Sequence, residues 1–354
     1  MDLLALLRKE AITVRRNLGL ILVLLVVLPG GIVAGTAVFE QTIPRDVPVG
    51  VVAEGDATDD DVAIAEAGLV AFATPIEYDS SADAREALQR EEVYLVVSVP
   101  SDVMVEGNEA NVTIVSDHAF VPFEEPVNES IGLAESEFDQ AVPADVSVDH
   151  ERVGEPRSLS AFLVPTGLFA FVTLYALVYL PYQVRSERLV LDRLQTESRL
   201  ETVVASKLLF YGGALIVPAA VVAAVTTWLG YDVAVLSPAT LAVLGLTFWY
   251  LAAIGLAVLF ALGLRQSALF VNLGLALAVF GLSSLVYPVG FFSTSQRTIA
   301  RALPSHYSAI TTRSTMLRDT SASLYADYLL WLAATALVSL VVLKLALMVY
   351  QRRR

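Results

Sequence analysis

Long stretches with no charged residue are the strongest constraint on this chain. Residues 161–182 and 208–229 each run 22 positions without Asp, Glu, Lys or Arg. At about 1.5 Å rise per residue, such a run is roughly 33 Å long as a helix, enough to cross the hydrocarbon core of a bilayer. Comparable runs occupy residues 18–39, 238–262, 268–289 and 328–349, the last interrupted only by Lys344. A polytopic α-helical membrane protein with six transmembrane helices is therefore predicted. Residues 40–157 break the pattern and are predicted to form an inserted α/β domain.

Charge placement orients these spans. Residues 40–157 carry 28 of the 37 acids and only five arginines, a net −23, so the rest of the chain is net +9. Basic residues cluster at Arg8–Arg16, at Arg185–Lys207, at Arg265 and at Arg352–Arg354. Lys/Arg-rich connections stay in the cytoplasm. Both termini and the connection 183–207 are thus expected inside, and the acidic domain outside, in a multi-pass protein of the cell membrane. Residues 1–17 read as an interfacial helix, with Leu3, Leu4, Leu7, Ala11 and Val14 along one face and Arg8, Lys9, Arg15 and Arg16 off it. The apolar run behind it is too long for a cleaved signal core. Membrane lipids are the expected partners of all these surfaces.

Within residues 40–157, β-branched runs at 47–52, 94–99 and 111–115 read as strands. Helices are expected over 58–70, 81–89 and 125–140, the second capped from Asp79-Ser80-Ser81. Asn111-Val-Thr and Asn128-Glu-Ser are glycosylation acceptors, in keeping with an external location. The acid-rich, lysine-poor composition suits high ionic strength, where screening removes self-repulsion, and points to a halophilic source, an archaeon by expectation.

Several chemistries have no residues to carry them. There is no cysteine, so neither disulfides nor thiolate chemistry is available. No G-x-x-x-x-G-K-[ST] occurs, so this chain has no P-loop for ATP. H-E-x-x-H and G-x-S-x-G are absent, and His118, His150 and His306 stand apart from one another. Asp56 and Asp59–Asp61 lack the glycine and terminal glutamate of a calcium loop and read as a solvated acidic turn. No catalytic residues and no metal site are expected. The net acidity disfavours a nucleic-acid partner. Inside the spans, Asn272, Ser283, Ser284, Thr226 and Thr227 are polar candidates for helix contacts or a pathway lining. Lys344 lies near the cytoplasmic end, where its stem can snorkel to the interface.

The connection 183–207 can be an ordinary solvated loop that only sets topology. Its residues suggest more. Glu187-Arg188, Leu191-Asp192-Arg193-Leu194, Ser198-Arg199-Leu200-Glu201 and Lys207-Leu208-Leu209 resemble the cytoplasmic loop of ABC-2 type transporter permeases. That loop runs E-R-x-G-T-L-E-R-L, then T-P-x-S-R, then a Lys opening the next span. Here Leu189-Val190 stand in place of Gly-Thr, and no proline precedes Ser198. The opening L-L-R-K-E…R-R-N resembles the connecting helix of the same family. Ala302-Leu303-Pro304-Ser305 with Tyr307 and Arg313 resembles its re-entrant stretch before the last span. Val47–Val52 and Tyr94–Pro100 resemble the branch with a large external domain.

The resemblance implies a permease subunit of an ABC-2 transporter, an exporter by analogy, working with a second permease copy or a paralogue. It further implies a separate ABC ATP-binding subunit that holds ATP and magnesium, leaving no cofactor in this chain. Glu187, Arg188, Asp192, Arg193 and Arg199 would then form the coupling contact to that ATPase. The rival expectation is a membrane-anchored sensor or scaffold with an external ligand-binding domain. Residues 291–326, with Arg297, Arg301, Arg313 and Arg318, are a difficulty for the topology, since they fall on the outer side. Short re-entrant helices sheltered by protein, or a plain external loop, are the two readings.

Overall fold

The computed structural model describes residues 47–55, 57–70, 73–101, 109–118, 128, 131–132, 145–155, 157–189, 199–285, 288–318 and 322–353. The interfacial helix expected at 1–17 and the span expected at 18–39 lie outside the described residues, as does most of the helix expected at 125–140.

Five strands form one sheet: β1 Val47–Ala53, β2 Ala73–Tyr78, β3 Leu95–Val99, β4 Glu109–Asp117 and β5 Asp145–Val153, in the order β2-β1-β3-β4-β5. β1 pairs parallel with both β2 and β3, β3 pairs antiparallel with β4, and β4 pairs parallel with β5. Helices α1, Asp59–Leu69, and α2, Ser81–Gln89, make the crossovers that parallel strands require. Strand alternation divides the core between them. Val49 and Val51 face Val62, Ala65 and Leu69 of α1, while Val52 and Val96 face Ala84, Ala87 and Leu88 of α2. Thr58 and Asp61 cap α1 reciprocally, so one of the four clustered acids has a local role; Ser80 caps α2.

The rest of the described chain is helical. Four helices are long and apolar enough to cross a membrane: Leu159–Ser186, Leu200–Trp228, Pro238–Ala261 and Ser323–Arg352. Within them lie α3 Leu159–Leu174, α4 Leu180–Ser186, α5 Leu200–Ala214, α6 Ile216–Trp228, α7 Pro238–Ala261 and α11 Ala326–Arg352. A shorter apolar helix, α8, covers Ser267–Leu282. The sequence carries apolar character on to 289, but the backbone turns at Ser284, a left-handed residue with φ +59°. α7 is the central post, buried along most of its length, whereas α5–α6 is largely exposed and peripheral. The exposed Leu209, Phe210, Val217, Val221 and Val225 on α5–α6 suit contact with lipid.

Residues 291–326 are not a plain loop. They contain α9, Thr294–Ala302, and α10, Pro304–Leu317. Most of α10 is buried, and it packs against α3, α7 and α11.

The sheet and the described ends of the connection 183–207 lie at opposite ends of this bundle. At one end, Arg157 bonds the Asp232 carboxylate at 2.8 Å and the Ala234 N–H bonds Met316, close to the sheet. At the other, Arg353 bonds the Ala261 carbonyl and Gln351 bonds Glu201.

Candidate functional site

The connection between the first two described spans begins and ends in helix. α4 closes at Glu187, and α5 opens at Leu200 behind an exposed Arg199. Lys207 Nζ reaches Glu187 Oε2 at 2.6 Å and ties the two helical ends together. Lys207 is mostly buried and Glu187 about one-third exposed, so this pair is better sheltered than an ordinary surface bridge. Arg188 is exposed beside it. Asp192 and Arg193 lie outside the described residues. Of the five residues singled out for coupling, three are therefore placed, all at one end of the bundle. The Glu187–Lys207 pairing adds a partner that sequence spacing did not indicate.

A second feature lies higher in the same span. Tyr175–Tyr179 form a π-helical turn between α3 and α4, a local widening often found where helices do functional work. Phe171, Tyr175 and Tyr179 stack in a ladder with ring centroids 5.5 and 5.4 Å apart, and Tyr211 of α5 stands edge-on to the last two. Behind the turn, α7 approaches closely at Gly255, where a β-carbon would meet Pro181, the Ala176 carbonyl and Leu177 at 3.2–3.3 Å. Asn272 of α8, fully buried, donates to the Gly255 carbonyl at 3.0 Å. Asn272 thus fastens α8 to the helix that braces the π turn.

The other polar residues of the spans divide. Ser284 Oγ is 3.1 Å from His306 Nδ1 and accepts the Val289 N–H, and its carbonyl accepts from Arg313 at 2.6 Å. It joins the end of α8 to α10. Ser283 is buried, and its hydroxyl has no hydrogen-bond partner among the described residues. Thr226 and Thr227 bond carbonyls of their own helix instead of bridging to another, because a helical threonine hydroxyl readily reaches the carbonyl one turn back. Lys344 is exposed on the outer face of α11, among Val341, Val342 and Leu345. Asn111 is exposed on β4, and the exposed Asn128 accepts from Arg152.

Sequence reasoning missed a third site. The turn from α2 into β3 inserts between the sheet and the helices. Glu91, at φ +60°, has a fully buried carboxylate 3.5 Å from Arg318 and 3.7 Å from Arg313. Arg318 also pairs with Asp117 of β4 at 2.7 Å and donates to the Gln89 carbonyl. Burial alone would lower the Arg318 pKa, but Asp117, Tyr325 and Glu91 raise it. Tyr94 accepts the Gly290 N–H at 3.0 Å, and its phenol is pushed up by burial and by the Glu91 charge. The four arginines that troubled the topology are all engaged here. Arg297 bonds the Gly290 and Phe292 carbonyls, Arg301 bonds the Glu92 carbonyl, and Arg313 and Arg318 meet Glu91. The available signal was charge: four arginines within 291–326, where the expected topology disfavoured them, and a domain of net −23.

Beside this network, a cleft of roughly 500 Å³ is lined by Leu88, Asp117, Gly154, Arg157, Asp232 and Arg318, among others. Among the described residues no group of His, Asp and Glu is placed to hold a metal ion.

A family model described as ABC-2 family transporter protein matches residues 18–344. No curated protein matches the chain, and no solved structure does.

Proposed function

The chain belongs to the ABC-2 family of transporter proteins, a polytopic helical permease subunit of an ABC transporter, and from that premise we propose that it is an exporter driven through the connection 183–207. Family membership implies an ATP-binding partner. In our reading that partner docks on Glu187, Arg188 and Arg199, together with Asp192 and Arg193. The observation that carries this is the placement of both described ends of a polar, basic connection at the end of the bundle opposite the sheet. Its two helical ends are tied by Glu187 and Lys207 at 2.6 Å, so a push on the connection reaches both spans. The partner's nucleotide states must bind the connection differently in two permease conformations for work to be done. The acidic sheet unit then faces outward, the basic ends face the cytoplasm, and a second permease copy or paralogue completes the pathway.

The scarcity of charge within the spans suits an amphipathic or lipid-like cargo better than a bare ion, whose path would need buried counter-charges. Charge reversal tests the docking. Arg188→Glu with Arg193→Glu, in vesicles containing the co-expressed ATPase, is expected to leave ATP hydrolysis uncoupled from transport. Unchanged coupling would refute the contact. A second reading, an external sensor, is favoured by one observation: the cleft beside the ends of β4 and β5, lined by Asp117, Val153 and Gly154.

A further inference from the structure

We propose that the turn Arg90–Tyr94 is a permanent lock that makes the five-stranded sheet, α9–α10 and the start of the last span one rigid body. Movement of the last span is then delivered to the sheet without this contact opening. The part of the proposal that concerns transport rests on the permease reading above; the lock itself does not.

The contacts are dense and mixed in kind. Glu91 enters between Arg313 and Arg318, all three buried. Arg90 reaches forward to the last span, with Nη2 2.7 Å from Asp327, a bond to the Leu324 carbonyl, and its guanidinium 4.6 Å above the Tyr328 ring. From the other side, Tyr328 donates to Glu92 at 3.1 Å and Tyr325 donates to the Gln89 carbonyl at 2.9 Å. Arg301 holds the Glu92 carbonyl, and the Tyr94 ring lies over Gly290. Three separate pieces of the helical body therefore grip Arg90, Glu91, Glu92 and Tyr94 of the sheet unit and their neighbour Gln89.

Energetics decide whether such a contact opens in a working cycle. Glu91 and Asp117 balance Arg313 and Arg318 charge for charge. Separating the halves would break these ion pairs together with the hydrogen bonds at Gln89, Glu92 and Gly290 in one step, and a partial opening that withdrew the carboxylates while the guanidiniums stayed buried would be strongly unfavourable. Segments that open readily have few buried contacts and solvated hydrogen bonds, the opposite of this turn. Flexing must occur elsewhere. The peripheral span α5–α6 fits that need, since it is broken at Leu215 and largely exposed.

The test uses the absence of cysteine from the chain. Nitroxide labels at Asp79→Cys and Leu330→Cys, both exposed, report the distance from sheet to last span by double electron–electron resonance. A second pair, Asp79→Cys with Leu209→Cys, reports the peripheral span. The full chain with its co-expressed ATPase is measured without nucleotide and trapped with ATP and vanadate. Expected is one narrow distance for the first pair, unshifted on trapping, with a shift in the second. A shift or a second population in the first pair overturns the lock.

If neither pair shifts, the permease reading fails, and the lock is judged in the resting chain. There Glu91→Ala is expected to broaden the first distance, as is Arg318→Ala, while Glu77→Gln, at an exposed carboxylate on β2, leaves it narrow. A distribution that stays narrow in both alanine variants overturns it. Should Glu91→Ala not fold, Arg90→Ala at the wetter edge gives the same reading.

Discussion

The ring of Tyr94 occupies the space that a β-carbon on Gly290 would need, and its hydroxyl accepts the Gly290 N–H at 3.0 Å. One residue belongs to the sheet unit and the other to the segment between α8 and α9, 196 positions later. Gly290 has an ordinary φ, so space and not backbone strain requires glycine there. Gly290→Ala is expected to force the ring out and to destabilise the protein by about 1–3 kcal/mol, the usual cost of overpacking. Thermal unfolding in detergent measures it; an unchanged midpoint would show that the ring moves freely.

Gly255 and Asn272 make a second, independent prediction. Gly255→Leu pushes α7 away from Ala176 and Leu177 at the π turn, and should cost more than Asn272→Ala. The latter removes one interhelical bond in the membrane, worth about 0.6–2 kcal/mol. Steric-trap or urea unfolding in bicelles ranks the two. The reverse order would mean that Asn272, and not close packing, braces the turn.

Glu187 and Lys207 are expected to be coupled. In a double-mutant cycle with Glu187→Gln and Lys207→Met, the interaction energy should be about 1 kcal/mol, at the upper end for a partly exposed pair. It should shrink little in high salt, because Lys207 is largely sheltered. A coupling energy of zero would remove the tie between the two spans.

The network at Glu91 should tolerate isosteric neutralisation poorly. Glu91→Gln keeps the shape but leaves Arg313 and Arg318 without their shared carboxylate. A loss of about 3–5 kcal/mol is expected, as for one partner of a buried pair. Expression and unfolding midpoints check it against Glu77→Gln, which alters an exposed carboxylate on β2.

Much of this fold was legible because the spans are long. Residues 161–182 and 238–262 announce their helices by uninterrupted hydropathy, and Thr58 and Ser80 announce theirs by capping chemistry. A sheet of four or five strands was expected, but β2 and β5 were not located, since both are edge strands. An edge strand needs less apolar surface, and β5 carries Asp145, Asp149, Glu151 and Arg152 in nine residues. The early end of α8 was hidden by Leu285 and Val289, which are apolar but belong to a buried turn. Hydropathy cannot distinguish that from more helix. The π turn leaves no periodic mark at all. The Glu91 network joins residues more than 220 positions apart, so spacing carried no sign of it. Its only trace was that arginines 297, 301, 313 and 318 stood on the side where the topology disfavoured them.

Sidedness is the claim on which the rest stands, because a cytoplasmic motor can act only on what faces it. Single cysteines at Asp79 and Arg188, introduced separately into this cysteine-free chain, measure it directly with a membrane-impermeant maleimide on intact cells. Expected is labelling of Asp79→Cys from outside and of Arg188→Cys only after permeabilisation. Labelling of Arg188→Cys in sealed cells would contradict the proposed docking of an ATPase on the connection.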